Sequence, residues 1–284
     1  MNFEAFYPNH SLLIHCIEYY YFQKSDNDVF SAEYYAFPNT VLALNIHRNI
    51  CYNINGHKVS VTGVKQENYL MLLNGRYQLP LHVQQKGDID KVTIVFKPLG
   101  LNHFIKTSFN EVARHPTQIF TAWNDINTPP FLNRFFKEQD NNKRIAVLEN
   151  YLLSFYEPFP EYSFLNEVLN MLCDFDREVS IEEVAKKFSL SSRTFNRVFK
   201  KHLGISPVSF RKIARFRHSV KNKLFKSKFD SLTKIGYDSN FYDQSYFNKV
   251  YKNLTQQNPR AFFDSVEKLA DERLIFQFIQ SKHV

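Results

Sequence analysis

The pattern of residues 181–210 recurs at 232–262, and no other feature constrains the fold of this chain so tightly. Leu232, Ile235 and Gly236 repeat Ile181, Val184 and Ala185 at an offset of 51, and Phe247, Val250 and Tyr251 repeat Phe195, Val198 and Phe199 at 52. Pro259 and Phe262 repeat Pro207 and Phe210 at the same 52. Shared core positions at a fixed period mean two copies of one supersecondary unit.

Each copy reads as helix, turn, helix. Ser180 and Glu183 form a capping box that opens a helix through Phe188, and Ser189-Leu190-Ser191 makes a tight turn. In the next helix Phe195, Val198 and Phe199 face inward, while Arg193, Asn196, Arg197, Lys200 and Lys201 face outward as far as the stop at Gly204. Two short helices with a polar, basic second member describe a helix-turn-helix. The units are predicted at 180–204 and 231–256, the second turning at Asn240-Phe241-Tyr242 and capped by Asp243. Ser206-Pro207 starts a linking helix with Phe210, Ile213, Val220 and Leu224 inward and Arg211, Arg215 and His218 outward. Such a link holds the two second helices at a fixed distance, and a separation near one duplex turn, about 34 Å, would let both enter successive major grooves of one duplex.

Charge points to the same partner. Between Glu183 and Asp230 there is no Asp or Glu, and residues 184–229 carry fourteen Lys and Arg. A solvated face normally mixes both signs, so a helical surface this uniformly positive suits a polyanion, most commonly nucleic acid, and with the two helix-turn-helix units the expected partner is double-stranded DNA. The rest of the +8 net charge is unevenly spread: residues 1–165 hold 14 Lys/Arg against 15 Asp/Glu, and residues 166–284 hold 22 against 13. That split, with the break at Pro158-Phe159-Pro160, predicts a neutral domain at 1–157 and a basic one at 162–284.

The neutral half alternates with period two at 41–47, 57–62, 69–73 and 91–96, separated by Asn55-Gly56, Asn74-Gly75 and Gly87-Asp88. Short strands with turn signals predict a small antiparallel sandwich or barrel, and Tyr19-Tyr20-Tyr21-Phe22 reads as a buried aromatic strand. Helices are expected at 99–107, 131–137 and 144–155, the last with Ile145, Leu148, Leu152 and Phe155 on one face. That face either closes the domain or pairs two copies of the chain. Residues 264–284, with Val266, Leu269, Leu274 and Phe278, are expected to add one amphipathic helix. The fold class is therefore α+β with two domains, a β-rich barrel with flanking helices followed by an all-α domain.

Several function classes find no residues to carry them. Cys16, Cys51 and Cys173 are too few and scattered for a disulfide framework or zinc cluster. His10, His15, His47, His57, His82, His103 and His115 include no H-x-H pair with a Glu at ligand spacing, so no metal or cofactor is expected. No G-x-S-x-G, phosphate-binding glycine loop or acid/base carboxylate pair is present, so no catalytic residue is assigned. The start of the chain lacks the plan of a signal peptide and no apolar run is long enough to span a membrane, which together predict a cytoplasmic protein.

Residues 165–264 strongly resemble the AraC/XylS family of bacterial transcription regulators. The match is most specific in Tyr237-Asp238-Ser239-Asn240-Phe241-Tyr242-Asp243-Gln244-Ser245-Tyr246-Phe247, then Val250-Tyr251-Lys252 and Pro259. The resemblance implies base reading by Arg193, Asn196 and Arg197 in the first unit and by Gln244, Ser245, Asn248 and Lys249 in the second. Arg matches guanine N7/O6, and Asn or Gln matches adenine N6/N7. Lys200, Lys201, Arg211 and Lys252 are expected on phosphates. Asn240 and Gln256 stand where the family usually has Gly, and Ser219 where it usually has Ala. The first domain more weakly resembles the cupin-like sensor domains of such regulators, best in residues 92–101. The resemblance implies transcriptional activation through RNA polymerase, a small-molecule effector and a homodimer as expectations. The alternative is a cupin-type enzyme tethered to DNA by the basic domain.

Overall fold

The computed structural model describes residues 2–25, 29–226, 230–269 and 274–281. Ten strands occupy the first half: β1 (Asn2–Phe6), β2 (Ile17–Ser25), β3 (Ser31–Ala36), β4 (Leu42–Arg48), β5 (Ile50–Asn55), β6 (Lys58–Gly63), β7 (Tyr69–Asn74), β8 (Leu81–Lys86), β9 (Ile89–Phe96) and β10 (Thr117–Ile119). Short helices α1 (Ser11–Cys16) and α2 (Phe109–Val112) and a 3₁₀ turn at Gly100–His103 interrupt them, and α3 (Thr128–Lys137) and α4 (Asn141–Leu153) follow. The second half contains α5 (Tyr162–Cys173), α6 (Ile181–Lys187), α7 (Ser192–Leu203), α8 (Pro207–Lys221), α9 (Leu232–Asp238), α10 (Gln244–Thr255) and α11 (Pro259–Ser265). It ends with β11 (Glu267–Leu269) and β12 (Leu274–Ser281).

The strands form two six-stranded sheets, β1-β2-β9-β4-β7-β10 and β11-β12-β3-β8-β6-β5. Pairing is antiparallel except between β6 and β8. This β-rich half is compatible with the cupin-like expectation but is not closed into a barrel. Period-two alternation sorts each strand of the first sheet between two interiors. Val92, Ile94 and Phe96 of β9 join Leu44 and Ile46 of β4 in a core capped by α1, α3 and α4. Tyr21 and Val95 turn the other way, toward Tyr34, Leu81 and Val83 of the second sheet. Covered on both sides, β9 is buried along its whole length.

The candidate dimer face is corrected by this packing. Ile145, Leu148 and Leu152 are 1%, 0% and 0% exposed in the first core, and Phe155 packs against the same cluster with its ring stacked 5.8 Å from Trp123. The stripe is consumed within one chain.

The helix expected over 264–284 is also corrected. Helix α11 ends at Ser265, and β11 and β12 follow, with residues 270–273 and 282–284 outside the described residues. β12 pairs antiparallel with β3, and Phe276 and Phe278 sit 4.7 and 5.6 Å from the Tyr34 ring. The sequence Leu274-Ile275-Phe276-Gln277-Phe278-Ile279 is aromatic and β-branched, and β3 offers an edge whose backbone groups need partners. A strand at that site satisfies both, which a helix cannot.

Candidate nucleic-acid interface

The two helix-turn-helix units have matching backbones. In the first, Ser180 Oγ accepts from the Glu183 N–H at 3.1 Å, and the Glu183 carboxylate accepts from the Ser180 N–H at 2.6 Å, completing the capping box. Ser189 takes a left-handed φ of 56°, and the Leu190 N–H donates to Ala185 O at 3.0 Å. In the second, Asn240 takes φ 56° and the Phe241 N–H donates to Gly236 O at 3.0 Å. Ser191 caps α7 by accepting from the Thr194 N–H, and Asp243 caps α10 by accepting from the Tyr246 N–H. Helix α7 stops at left-handed Gly204, and α10 stops in the same way at Gln256, φ 63°. Gln256 therefore makes the stop that glycine would make more cheaply.

Helix α7 turns Phe195, Phe199 and Leu203 into the core and leaves Arg193, Arg197, Lys200 and Lys201 exposed. Asn196 is half-buried and donates along its own helix to Ser192 O at 2.8 Å. On α10, Ser245, Asn248, Lys249 and Lys252 are exposed and Gln244 is half-buried, its amide donating to Asn248 Oδ1 at 3.5 Å. Among the residues read from sequence, those on α7 are brought together on one face, and those on α10 on another. Three tyrosines of the motif that the sequence assigns no role are exposed at the second unit: Tyr237, Tyr246 and above all Tyr242, 89% exposed beside the start of α10. Exposed aromatics at an otherwise polar helix start are the signal that would have found them.

The linking helix departs from expectation. Arg215 is 8% exposed, donates to Glu178 Oε1 at 2.8 Å and lies over the rings of Phe175 and Phe241. It is buried because α8 runs beneath the turn of the second unit. His218 is half-buried against the Phe175 ring. Arg211 is half-buried, and desolvation lowers its pKa against the opposing pull of Glu178. Arg217 donates to Phe37 O at 2.7 Å and Pro38 O at 2.8 Å, carbonyls of the first half. Arg76, just after β7, answers from the other side: it donates to Thr40 O, to Pro98 O at 2.9 Å and to Leu203 O at 3.2 Å. Burial pushes the Arg76 pKa down to about 9. Two arginines thus bind the helical half to the β-rich half through carbonyls, which have no sequence signature.

Among the described residues no group of three His, Cys, Asp or Glu is placed to hold a metal, and no helix is long and apolar enough to cross a membrane. The "Helix-turn-helix domain" family matches residues 184–265. The chain is 36% identical over 97 residues to the HTH-type transcriptional activator RhaS of Enterobacter sp. (strain 638), and 35% identical over 97 residues to that of Salmonella arizonae. Each match covers 34% of this chain and 34% of the relative, so the chain is matched over about a third of the length of these curated relatives. Among solved structures, ToxT from Vibrio cholerae aligns with 86% of this chain and 98% of its own, at 12% identity and a TM-score of 0.41.

Proposed function

We propose that this chain, whose residues 184–265 match a helix-turn-helix domain family, is a sequence-specific DNA-binding transcriptional regulator of the AraC type that inserts α7 and α10 into successive major grooves. The observation that carries the reading is the pair of units with matching left-handed turns at Ser189 and Asn240, each presenting a helix with an uncovered polar face. Arg193, Asn196 and Arg197, with Gln244, Ser245, Asn248 and Lys249, take the base edges. Lys200, Lys201 and Lys252 take phosphates, and Tyr242 joins them at the start of α10. Arg211 contributes less than expected, since burial has already removed part of it from solvent.

RNA polymerase as a partner, a cytoplasmic location and a homodimer belong to the same proposal. The dimer surface is one other than the buried Ile145 face. A sensor role for the first domain also belongs to it, in preference to a cupin-type enzyme tethered to DNA; the metal content of the purified protein separates those two.

Selection of bound duplexes from a random DNA library tests the reading. The expected product is a motif with two short conserved blocks about one helical turn apart. Recovery of DNA with no enriched sequence would sink specific regulation and leave a non-specific polyanion binder.

A further inference from the structure

Between the two sheets, where paired sheets ordinarily interdigitate apolar side chains, a group of polar side chains sits among the apolar ones. A cavity of about 50 Å³ there is lined by Asn45 and His47 of β4, Lys91 of β9, Gln85 of β8, Tyr21 of β2 and Tyr34 of β3. Lys91 and His47 are 4% and 2% exposed and sit opposite one another on the β4–β9 ladder. The Lys91 ammonium lies 3.3 Å from Asn45 Oδ1 and 5.4 Å from the centre of the Tyr21 ring, and among the described residues no carboxylate pairs with it. Asp90, next in sequence, pairs with Arg48 and Arg144 instead. His47 Nδ1 is buried without a hydrogen-bond partner among the described residues.

A buried ammonium without a counter-charge and an unpaired ring nitrogen are both costly, and they converge on one cavity. We propose that this cavity is a binding site for a small carboxylate. One oxygen accepts from Lys91 Nζ, and the other from His47 in the tautomer that carries its proton on Nδ1. The apolar end lies against Tyr34 and Phe276, the latter from β12 beyond the second helix-turn-helix unit. At roughly 10–15 Å³ per water-sized position, the space takes a carboxylate with about one or two carbons attached and excludes a sugar ring or a long acyl chain. The site lies away from α7 and α10, so it stands or falls independently of DNA reading.

Calorimetric titration of the full chain with sodium acetate, acetamide and sodium chloride at neutral pH and matched ionic strength is the test. Acetamide has the shape of acetate without the charge. Acetate should bind saturably and about tenfold or more tighter than acetamide or chloride, because only a charged acceptor satisfies the ammonium. Lys91→Met should weaken acetate by a similar factor. Acetate binding no better than acetamide on the wild-type chain overturns the proposal without recourse to any variant, and so does acetate affinity that survives in folded Lys91→Met.

Discussion

Arg197 and Lys200 lie three residues apart on α7, both exposed, and the proposed function gives them different work. The guanidinium fork of Arg197 matches two acceptors on one guanine, whereas the Lys200 ammonium is a point charge suited to any phosphate. Arg197→Ala should cost about 1–3 kcal/mol on the selected site and relax preference at one base pair. Lys200→Ala should weaken all sequences alike; equal, sequence-blind losses for both would mean α7 is turned the wrong way. Lys91 makes a prediction about pH. Burial pushes its pKa from 10.5 down to about 7. The folded value lies below the unfolded one, so the neutral amine is the form the fold prefers. Stability is fullest above the unfolded value, declines as pH falls toward about 7, and stays level below that with respect to this group. Lys91→Met should remove that slope and add about 2–4 kcal/mol at neutral pH. Urea melts of both proteins between pH 7 and 10 check it, since their difference isolates this group from other titrations.

The internal repeat makes each unit a control for the other. Gly236 in α9 stands where the first unit has Ala185, and a Cβ built there would meet the Phe247 ring at 3.6 Å, ordinary contact. Gly236→Ala should therefore stabilise the chain by about 0.5–1 kcal/mol, the usual helix-interior difference. Gln256 at φ 63° makes the opposite case, because Gly204 does the same task in the first unit without a side chain. Gln256→Gly should stabilise by up to about 1 kcal/mol. Loss of stability on either change, read by thermal melting, would mean that the units are not equivalent at that position. Both units and their caps were legible because helix starts, stops and apolar spacing are local. The C-terminal strand was not, because Val266, Leu269, Leu274 and Phe278 recur every three to five residues, close to a helical period, and only the β3 edge selects the strand.

At the scale of the whole molecule, the two halves are joined at several places. Asn102 donates to His202 O at 3.1 Å, the Phe37 ring meets Phe262 at 4.9 Å, and β12 extends the second sheet. Phe276→Ala, a change in sequence terms beyond the helix-turn-helix units, should cost the whole chain about 3–5 kcal/mol because its ring is only 9% exposed against Tyr34. A denaturant midpoint that hardly moves would mean the strand adds little to the sheet. The same joining limits the basic surface. With Arg215 and Arg217 committed to Glu178 and to carbonyls, phosphate contacts should number toward the lower end of those the charge run allows. With about six phosphates neutralised, affinity should fall on the order of 10³-fold between 50 and 200 mM salt. A nearly flat response in filter binding or anisotropy would remove the basic face from the interface.

The sequence by itself determined the two helix-turn-helix units, their caps and turns, the outward polar faces of α7 and α10, and the alternating strands of the first half. These follow from periodicity and from residues with strong local preferences, such as Ser180, Asn240 and Gly204. Tertiary structure alone decided the fate of groups whose partners are remote in the chain. Ile145, Leu148 and Leu152 went to the monomer's own core, Arg215 and Arg217 went inward, and residues 274–281 became a strand. Lys91 and His47 were brought onto one cavity by the β4–β9 register. An apolar stripe or a lone cation offers the same free energy to several partners, and only the packed arrangement picks one.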